Sequence, residues 1–221
     1  MLYPSTMSVL EWFQAGGFVM FPLLFFSLLA WGVIFERFWR YRKLYEKLPK
    51  FQHRALEYLL KNDWDLFRSH CDRYSDVPTA SILKATIEKL HSKQKRDQSH
   101  WLGAAERKRR EENLRLKKNL WVLGTIATAS PFIGLFGTVV GILKAFREMA
   151  LTGSGGFAVV AAGISEALVA TAAGIIVAVV ASIGFNAFQN RWSELVFRIK
   201  LQSEELLEAI DPSQVNPELK D

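Results

Sequence analysis

The stretch that decides the fold is Phe157-Ala-Val-Val-Ala-Ala-Gly163-Ile-Ser-Glu166-Ala-Leu-Val-Ala-Thr171-Ala-Ala-Gly174, which continues through apolar and small residues to Phe188. It is long enough to cross a bilayer, because a transmembrane helix needs about 20 apolar residues. Glu166 is its only ionisable side chain. A carboxylate inside a membrane helix costs about 2.5–3.5 kcal/mol on insertion scales, so such a residue normally faces a protein interior or a watery cavity. We therefore expect another group to compensate Glu166.

Two more uncharged blocks, residues 12–35 and 119–143, are also long enough to span a membrane. The sequence thus predicts an all-α integral membrane protein with three transmembrane helices and long cytoplasmic helical extensions. The predicted division is an extracytoplasmic amphipathic segment over 1–16, transmembrane helices over 17–36, 119–147 and 157–188, a cytoplasmic helical domain over 37–118, an extracytoplasmic turn over 148–156, and a cytoplasmic C-terminal helix and tail over 189–221.

The distribution of charge predicts the orientation. The first 36 residues contain no Lys or Arg, whereas residues 36–118 contain 22 of them against 12 Asp and Glu. Cytoplasmic loops carry the excess of Lys and Arg, so we expect a periplasmic N-terminus and a cytoplasmic C-terminus. No positive segment precedes the first apolar block, which favours an uncleaved signal anchor over a cleavable signal peptide.

The net charge of +6 does not by itself indicate nucleic-acid binding. The basic run over 92–118 is compatible with RNA or anionic lipid, but it lacks the interleaved aromatic residues of a single-strand binder and is more typical of a solvated helical stalk. Cys71 is the only cysteine and fits a buried or incidental thiol, and the four His lack a paired metal-ligand spacing. We predict no nucleic-acid partner, no cofactor or metal, and no enzyme active site.

Small residues mark the second and third predicted membrane helices as contact-making. Gly134, Gly137 and Gly141 lie in the second helix, where Pro131 removes one backbone hydrogen bond and predicts a kink. In the third helix Thr171 lies about 140° around from Glu166, so it faces another neighbour or a lumen. Residues at every fourth position predict a packing ridge along the third helix: Ala158, Ala162, Glu166, Ala170, Gly174, Ala178, Ser182 and Asn186.

The stretch Ile126-Ala-Thr-Ala-Ser-Pro131-Phe-Ile-Gly134-Leu-Phe-Gly137-Thr138-Val-Val-Gly141-Ile-Leu-Lys-Ala-Phe146, followed by Gly163 to Gly174, resembles the inner-membrane proton-channel family of MotA, TolQ and ExbB. The resemblance is greatest to the ExbB and TolQ branch. Many members of that branch read Val-Ala-Pro-Gly-Ile where this chain has Ala161-Ala162-Gly163-Ile164, and many have Trp at Val140.

The resemblance implies a homopentamer in a bacterial inner membrane, with the second and third helices around a central pore and the first helix outside, in contact with lipid. A single-span partner of the ExbD or TolR type would thread the pore, and an Asp of that partner would carry protons. Thr138 and Thr171 would lie near this Asp, and Glu166 matches the family's third-helix carboxylate.

The implied function is that of a proton-conducting motor subunit that uses the proton motive force to energise a TonB-like or TolA-like protein for outer-membrane transport. Two alternatives stay open. One is a TolQ-type motor for envelope maintenance, and the other is a non-conducting membrane scaffold for an energy-transducing partner.

Overall fold

The computed structural model describes residues 16–90, 98–152 and 157–210, and every regular element in this part of the chain is helical. A 3-10 turn at Gly17–Val19 comes first. The α-helices that follow are α1 (Met20–Leu60), α2 (Trp64–Arg73), α3 (Pro78–Leu90), α4 (Gln98–Lys117), α5 (Leu120–Thr152) and α6 (Phe157–Glu208).

The predicted all-α membrane fold is confirmed. Within the described residues, three helical stretches are long and apolar enough to cross a membrane: Gly17–Leu60, Trp101–Leu151 and Val160–Glu208. Residues 1–15 of the predicted extracytoplasmic segment, residues 153–156 of the predicted turn and the polar tail beyond residue 210 lie outside the described residues, whereas residues 148–152 belong to α5.

The long helices extend well past the predicted membrane boundaries. Helix α1 contains 41 residues and α6 contains 52, so each continues from an apolar segment into a charged one without a break. Helix α5 also continues through Pro131. A new element begins only where the chain changes conformation, as at Asn62, where φ is 56°, and at Asp63, whose side chain accepts a hydrogen bond from the Leu66 N–H at 3.1 Å and caps α2.

The chain divides into two compact units, and α1 and α6 contribute residues to both. The first, the apolar unit, comprises Met1–Glu36 and Asn119–Phe188. Many of its large apolar side chains point outward, including Phe18, Phe25, Phe132, Leu143 and Ile176. A soluble surface rarely exposes apolar residues so densely, and this surface suits lipid or the helices of other chains.

The second unit, the charged unit, comprises Arg37–Lys118 and Gln189–Asp221. Arg37 and Tyr41 are fully buried, and each donates a hydrogen bond of 3.0 Å to the carbonyl oxygen of Leu116 at the end of α4. Within this unit, the C-terminal part of α6 is held by the hydrogen bond from Tyr45 to Glu194 at 2.7 Å and by the Arg109–Glu204 ion pair at 3.0 Å.

Cys71 is buried in the charged unit. Burial raises the pKa of its thiol to about 12, chiefly because the thiolate would lose its hydration. Since the thiolate is the reactive form of cysteine, this thiol is unreactive at neutral pH.

Candidate functional site

Helices α5 and α6 run antiparallel in the apolar unit and approach closely along a line of small residues. A Cβ atom at Gly141 would lie 2.6 Å from the Cβ of Ala167, and one at Gly163 would overlap the Cβ of Ala145. Further along the same line, a Cβ at Gly174 would lie 2.7 Å from the carbonyl oxygen of Ser130. The four residues from Ala145 to Gly141 on α5 are matched by the four from Gly163 to Ala167 on α6, and Gly134 meets Gly174 seven residues further along each helix, so the register of the pair is fixed.

The other predicted packing glycines lie on this same line. A Cβ at Gly134 would come within 3.0 Å of the backbone of Thr171, and a Cβ at Gly137 would lie 2.8 Å from the Cβ of Ala170. Distances this short leave no room for any side chain, so the two backbones pack as small-residue membrane helices do.

Only part of the predicted ridge of α6 contacts α5 within this chain. Ala170, Gly174 and Ala178 are buried, but Ala162 and Glu166 are exposed, and the contact with α5 has moved to Gly163 and Ala167. Four residues turn a helix by about 400°, so a row of every fourth residue drifts by roughly 40° at each step and leaves the contact. Asn186 is likewise exposed at the other end of the ridge.

Glu166 lies beside this contact, in a groove of about 420 Å³ between α5 and α6. Small residues form much of the groove lining. One cation, Lys144, and two carboxylates, Glu148 and Glu166, also line it. The Nζ atom of Lys144 lies 3.9 Å from an Oε atom of Glu148, one helical turn further along α5. The residues lining the groove are Gly141, Lys144, Ala145, Glu148, Ala162, Gly163 and Glu166.

Thr138 and Thr171 lie at nearly the same level of the α5–α6 pair, since Gly137 packs against Ala170. The Thr171 hydroxyl donates to the carbonyl oxygen of Gly134 at 2.9 Å, and the Thr138 hydroxyl donates to that of Leu135 at 2.6 Å. Both hydroxyl hydrogens are thus engaged with backbone, while each oxygen retains the ability to accept a hydrogen bond.

The structure separates the threonines from the carboxylate. Thr171 is five residues from Glu166, about 140° around α6, and Thr138 is six residues from Lys144, about 120° around α5. The threonines therefore lie at the side of the helix pair away from the charged groove. The three predicted pathway residues form two polar positions rather than one cluster.

Two polar residues at this contact were missed by sequence reasoning or given no role. The Oγ atom of Ser130 is buried without a hydrogen-bond partner among the described residues, directly before Pro131. Lys144 marks only the end of an apolar block in the sequence. The spacing of Lys144 from Gly141 could have placed it beside the small-residue contact. Which residues of α6 lie next to Lys144 depends on the register of the two helices.

These features define a class: a multi-pass α-helical membrane protein with a carboxylate beside a close helix contact within its apolar unit. A model of the MotA/TolQ/ExbB proton channel family matches residues 75–200. The chain belongs to this family. The family is one of membrane transport proteins rather than enzymes.

Several curated relatives are similar to this chain. Putative biopolymer transport protein ExbB-like 1 of Synechocystis sp. is 30% identical over 193 residues, which cover 86% of this chain and 74% of that protein. ExbB-like 3 of the same organism is 34% identical over 188 residues, covering 80% of this chain and 83% of that protein. The Tol-Pal system protein TolQ of Pseudomonas aeruginosa is 45% identical over 89 residues, but these cover only 38% of that protein.

Proposed function

We propose that this chain is the proton-conducting inner-membrane subunit of an ExbB/TolQ-type motor. The observation that carries the proposal is Glu166, an ionisable residue within a membrane-spanning stretch that opens into a charged groove rather than facing only apolar groups. Membership of a proton channel family supports the same conclusion. Glu166 sets a negative field along the path and orders polar groups or water.

The threonines serve a partner carboxylate in this proposal. We infer that five copies surround a single-span ExbD-like or TolR-like partner, whose membrane Asp is the proton carrier. Because the hydroxyl hydrogens of Thr138 and Thr171 are donated to backbone carbonyls, their oxygens are available as acceptors for the protonated form of that Asp. Before either threonine hydroxyl can donate a hydrogen bond to the ionised Asp, it must break its hydrogen bond to the backbone carbonyl.

The energy available suits a mechanical output. One proton crossing 100 mV releases about 2.3 kcal/mol from the potential alone. Two or three protons therefore match the roughly 5.5 kcal/mol that takes a two-state equilibrium from 1:99 to 99:1. In the proposed motor this energy drives a TonB-like or TolA-like protein connected to the outer membrane.

The test is proton uptake by vesicles containing the chain co-expressed with its partner. We expect Glu166→Gln and Thr171→Val each to lower uptake about tenfold or more, the change in rate expected from losing roughly 1.4 kcal/mol of stabilisation in the path. Thr125→Val is the matched control, because the Thr125 hydroxyl also donates to a backbone carbonyl, that of Trp121 at 3.0 Å, but within its own helix. Unchanged uptake in both test variants, with the complex assembled, would contradict the proposal.

The similarity to TolQ favours a second candidate, in which the same motor serves envelope maintenance. Complementation separates the two. Restoration of envelope integrity in a strain lacking its TolQ protein, without restoration of TonB-dependent uptake in a strain lacking ExbB, would assign the chain to the TolQ branch.

A further inference from the structure

The groove beside Glu166 contains a cation that the proposed function does not use. Lys144 is largely exposed, and its ion pair with Glu148 is long at 3.9 Å. An exposed pair of this kind contributes little to stability, since measured values for exposed pairs are typically about 0.2–1 kcal/mol. The Lys144 ammonium can therefore move away from Glu148 at little cost in free energy.

The register of α5 and α6 places Lys144 close to the level of Glu166. Gly141 packs against Ala167 and Ala145 packs against Gly163, so Lys144 lies opposite residue 164. Two residues separate that position from Glu166, which is an axial offset of about 3 Å at 1.5 Å per residue. Both side chains line the same groove, so they also share one side of the helix pair.

Glu148 lies further along the groove. By the same register it is opposite residue 160, six residues and about 9 Å from the level of Glu166. Lys144 thus stands between two carboxylates, one turn from Glu148 and at a shorter axial offset from Glu166. A lysine has a flexible four-carbon stem that can redirect its ammonium between neighbouring acceptors.

We propose that Lys144 is the counter-ion of Glu166 and that it exchanges between Glu166 and Glu148. One lysine lies beside two carboxylates, so the three charged side chains that line the groove carry one net negative charge. Glu166 then always has a cation within the same groove. Lys144 is then a positioning residue for the ion path, acting through Glu166. This inference rests on the proposed function, because it assigns Lys144 a part in the same path.

Its test uses the same vesicle assay with the co-expressed partner. We expect Lys144→Gln to lower proton uptake about tenfold, and Lys144→Arg, which keeps the charge, to retain it. Arg147 provides the matched control. It is the next cation on α5 and is exposed, but it is not one of the described residues that line the groove. Arg147→Gln should leave uptake unchanged.

A double variant measures the coupling. Once Glu166→Gln has removed the carboxylate, adding Lys144→Gln should lower uptake no further, because the two residues act as one pair. If the double variant lowers uptake by the product of the two single reductions, the inference is overturned. Wild-type uptake in Lys144→Gln would overturn it too. If Lys144→Gln is neutral while Glu166→Gln still lowers uptake, only this inference fails. If Glu166→Gln and Thr171→Val are neutral as well, the proposed function also fails.

A geometric test does not depend on conduction or on Lys144→Gln folding. In a chain carrying Cys71→Ser, the pair Lys144→Cys and Glu166→Cys should be cross-linked by a bifunctional thiol reagent as long as a lysine–glutamate ion pair, whereas Arg147→Cys with Glu166→Cys should not. Equal cross-linking of the two pairs, or none in the first, would overturn the inference.

Discussion

At the scale of single residues, His70 shows how the charged unit places a titratable group in an apolar environment. Its ring stacks on that of Phe51 at 5.2 Å between centroids, and the Tyr74 ring lies 4.8 Å away. One ring nitrogen is 3.3 Å from the carbonyl oxygen of Phe51. Burial lowers the pKa of His70, with a further lowering from Arg54 and Arg73, and the hydrogen bond with Phe51 opposes this only in part.

The lowered pKa predicts a loss of stability in acid. Well above pH 6.5, the ordinary pKa of histidine, His70 is neutral in both the folded and the unfolded chain and has no pH-dependent effect on stability. As the pH falls below that value, the unfolded chain binds a proton first, so the free energy of unfolding decreases until the pH reaches the folded pKa. Urea unfolding at pH 7.5 and 5.5, followed by tryptophan fluorescence, measures the difference.

The variant His70→Phe keeps an aromatic ring but cannot bind a proton, so its unfolding should depend less on pH. His53→Gln is the control, because His53 is exposed, and it should retain the wild-type dependence. Equal pH dependence in wild type and His70→Phe would contradict the prediction.

At the scale of elements, the α5–α6 contact depends on the absence of side chains at a few positions. The most restrictive is Gly174, where a Cβ would meet backbone atoms on the facing helix: the Ser130 oxygen at 2.7 Å and the Gly134 Cα at 3.0 Å. Backbone cannot move aside as the end of a flexible side chain can. Helix α5 would have to shift.

We expect Gly174→Ala to lower the free energy of unfolding by about 1–3 kcal/mol, the usual cost of overpacking a well-packed contact. Gly32→Ala is the matched control. A Cβ at Gly32 has no neighbour within 4 Å in the described part of the chain, and Ala favours a helix over Gly by up to about 1 kcal/mol. Thermal unfolding in detergent should show a lower midpoint for Gly174→Ala and an unchanged or higher one for Gly32→Ala. The reverse order would rule out the packing explanation.

At the scale of the whole molecule, the two units differ in the surfaces they need. The apolar unit exposes large aromatic and aliphatic side chains, whereas the charged unit carries exposed ion pairs such as Lys61–Glu57 and Lys84–Asp72. These surfaces suit two different environments, lipid and water, and the positive-inside rule predicts that the charged unit lies in the cytoplasm.

Labelling with a membrane-impermeant maleimide tests this orientation. In a chain carrying Cys71→Ser, we expect Ser8→Cys to react in cells whose outer membrane has been permeabilised, and Ser193→Cys to react only after the inner membrane is opened. Ser193 is exposed on α6 in the charged unit, so a failure to react in intact cells reports the membrane and not burial. Reaction of Ser193→Cys in intact cells would invert the proposed topology.

The sequence by itself determined the class of this protein. Three uncharged blocks predict three membrane helices, because each block carries its own transfer free energy irrespective of its neighbours. The Glu166 anomaly and the glycines of the second helix also follow from local sequence, and the motifs around Thr138 and Thr171 lead to the family. None of these inferences requires knowledge of how the helices pack.

Only the tertiary structure decided which residues meet. The contact line of α6 lies at Gly163 and Ala167, one position from the predicted ridge, so Glu166 opens into a groove and Lys144 becomes its neighbour. Likewise, the burial of Arg37 against the end of α4 cannot be predicted from a basic run at a membrane boundary. Register is set by the shapes of two helices together, and a one-residue shift turns a side chain by about 100°. No periodicity within a single helix contains that information.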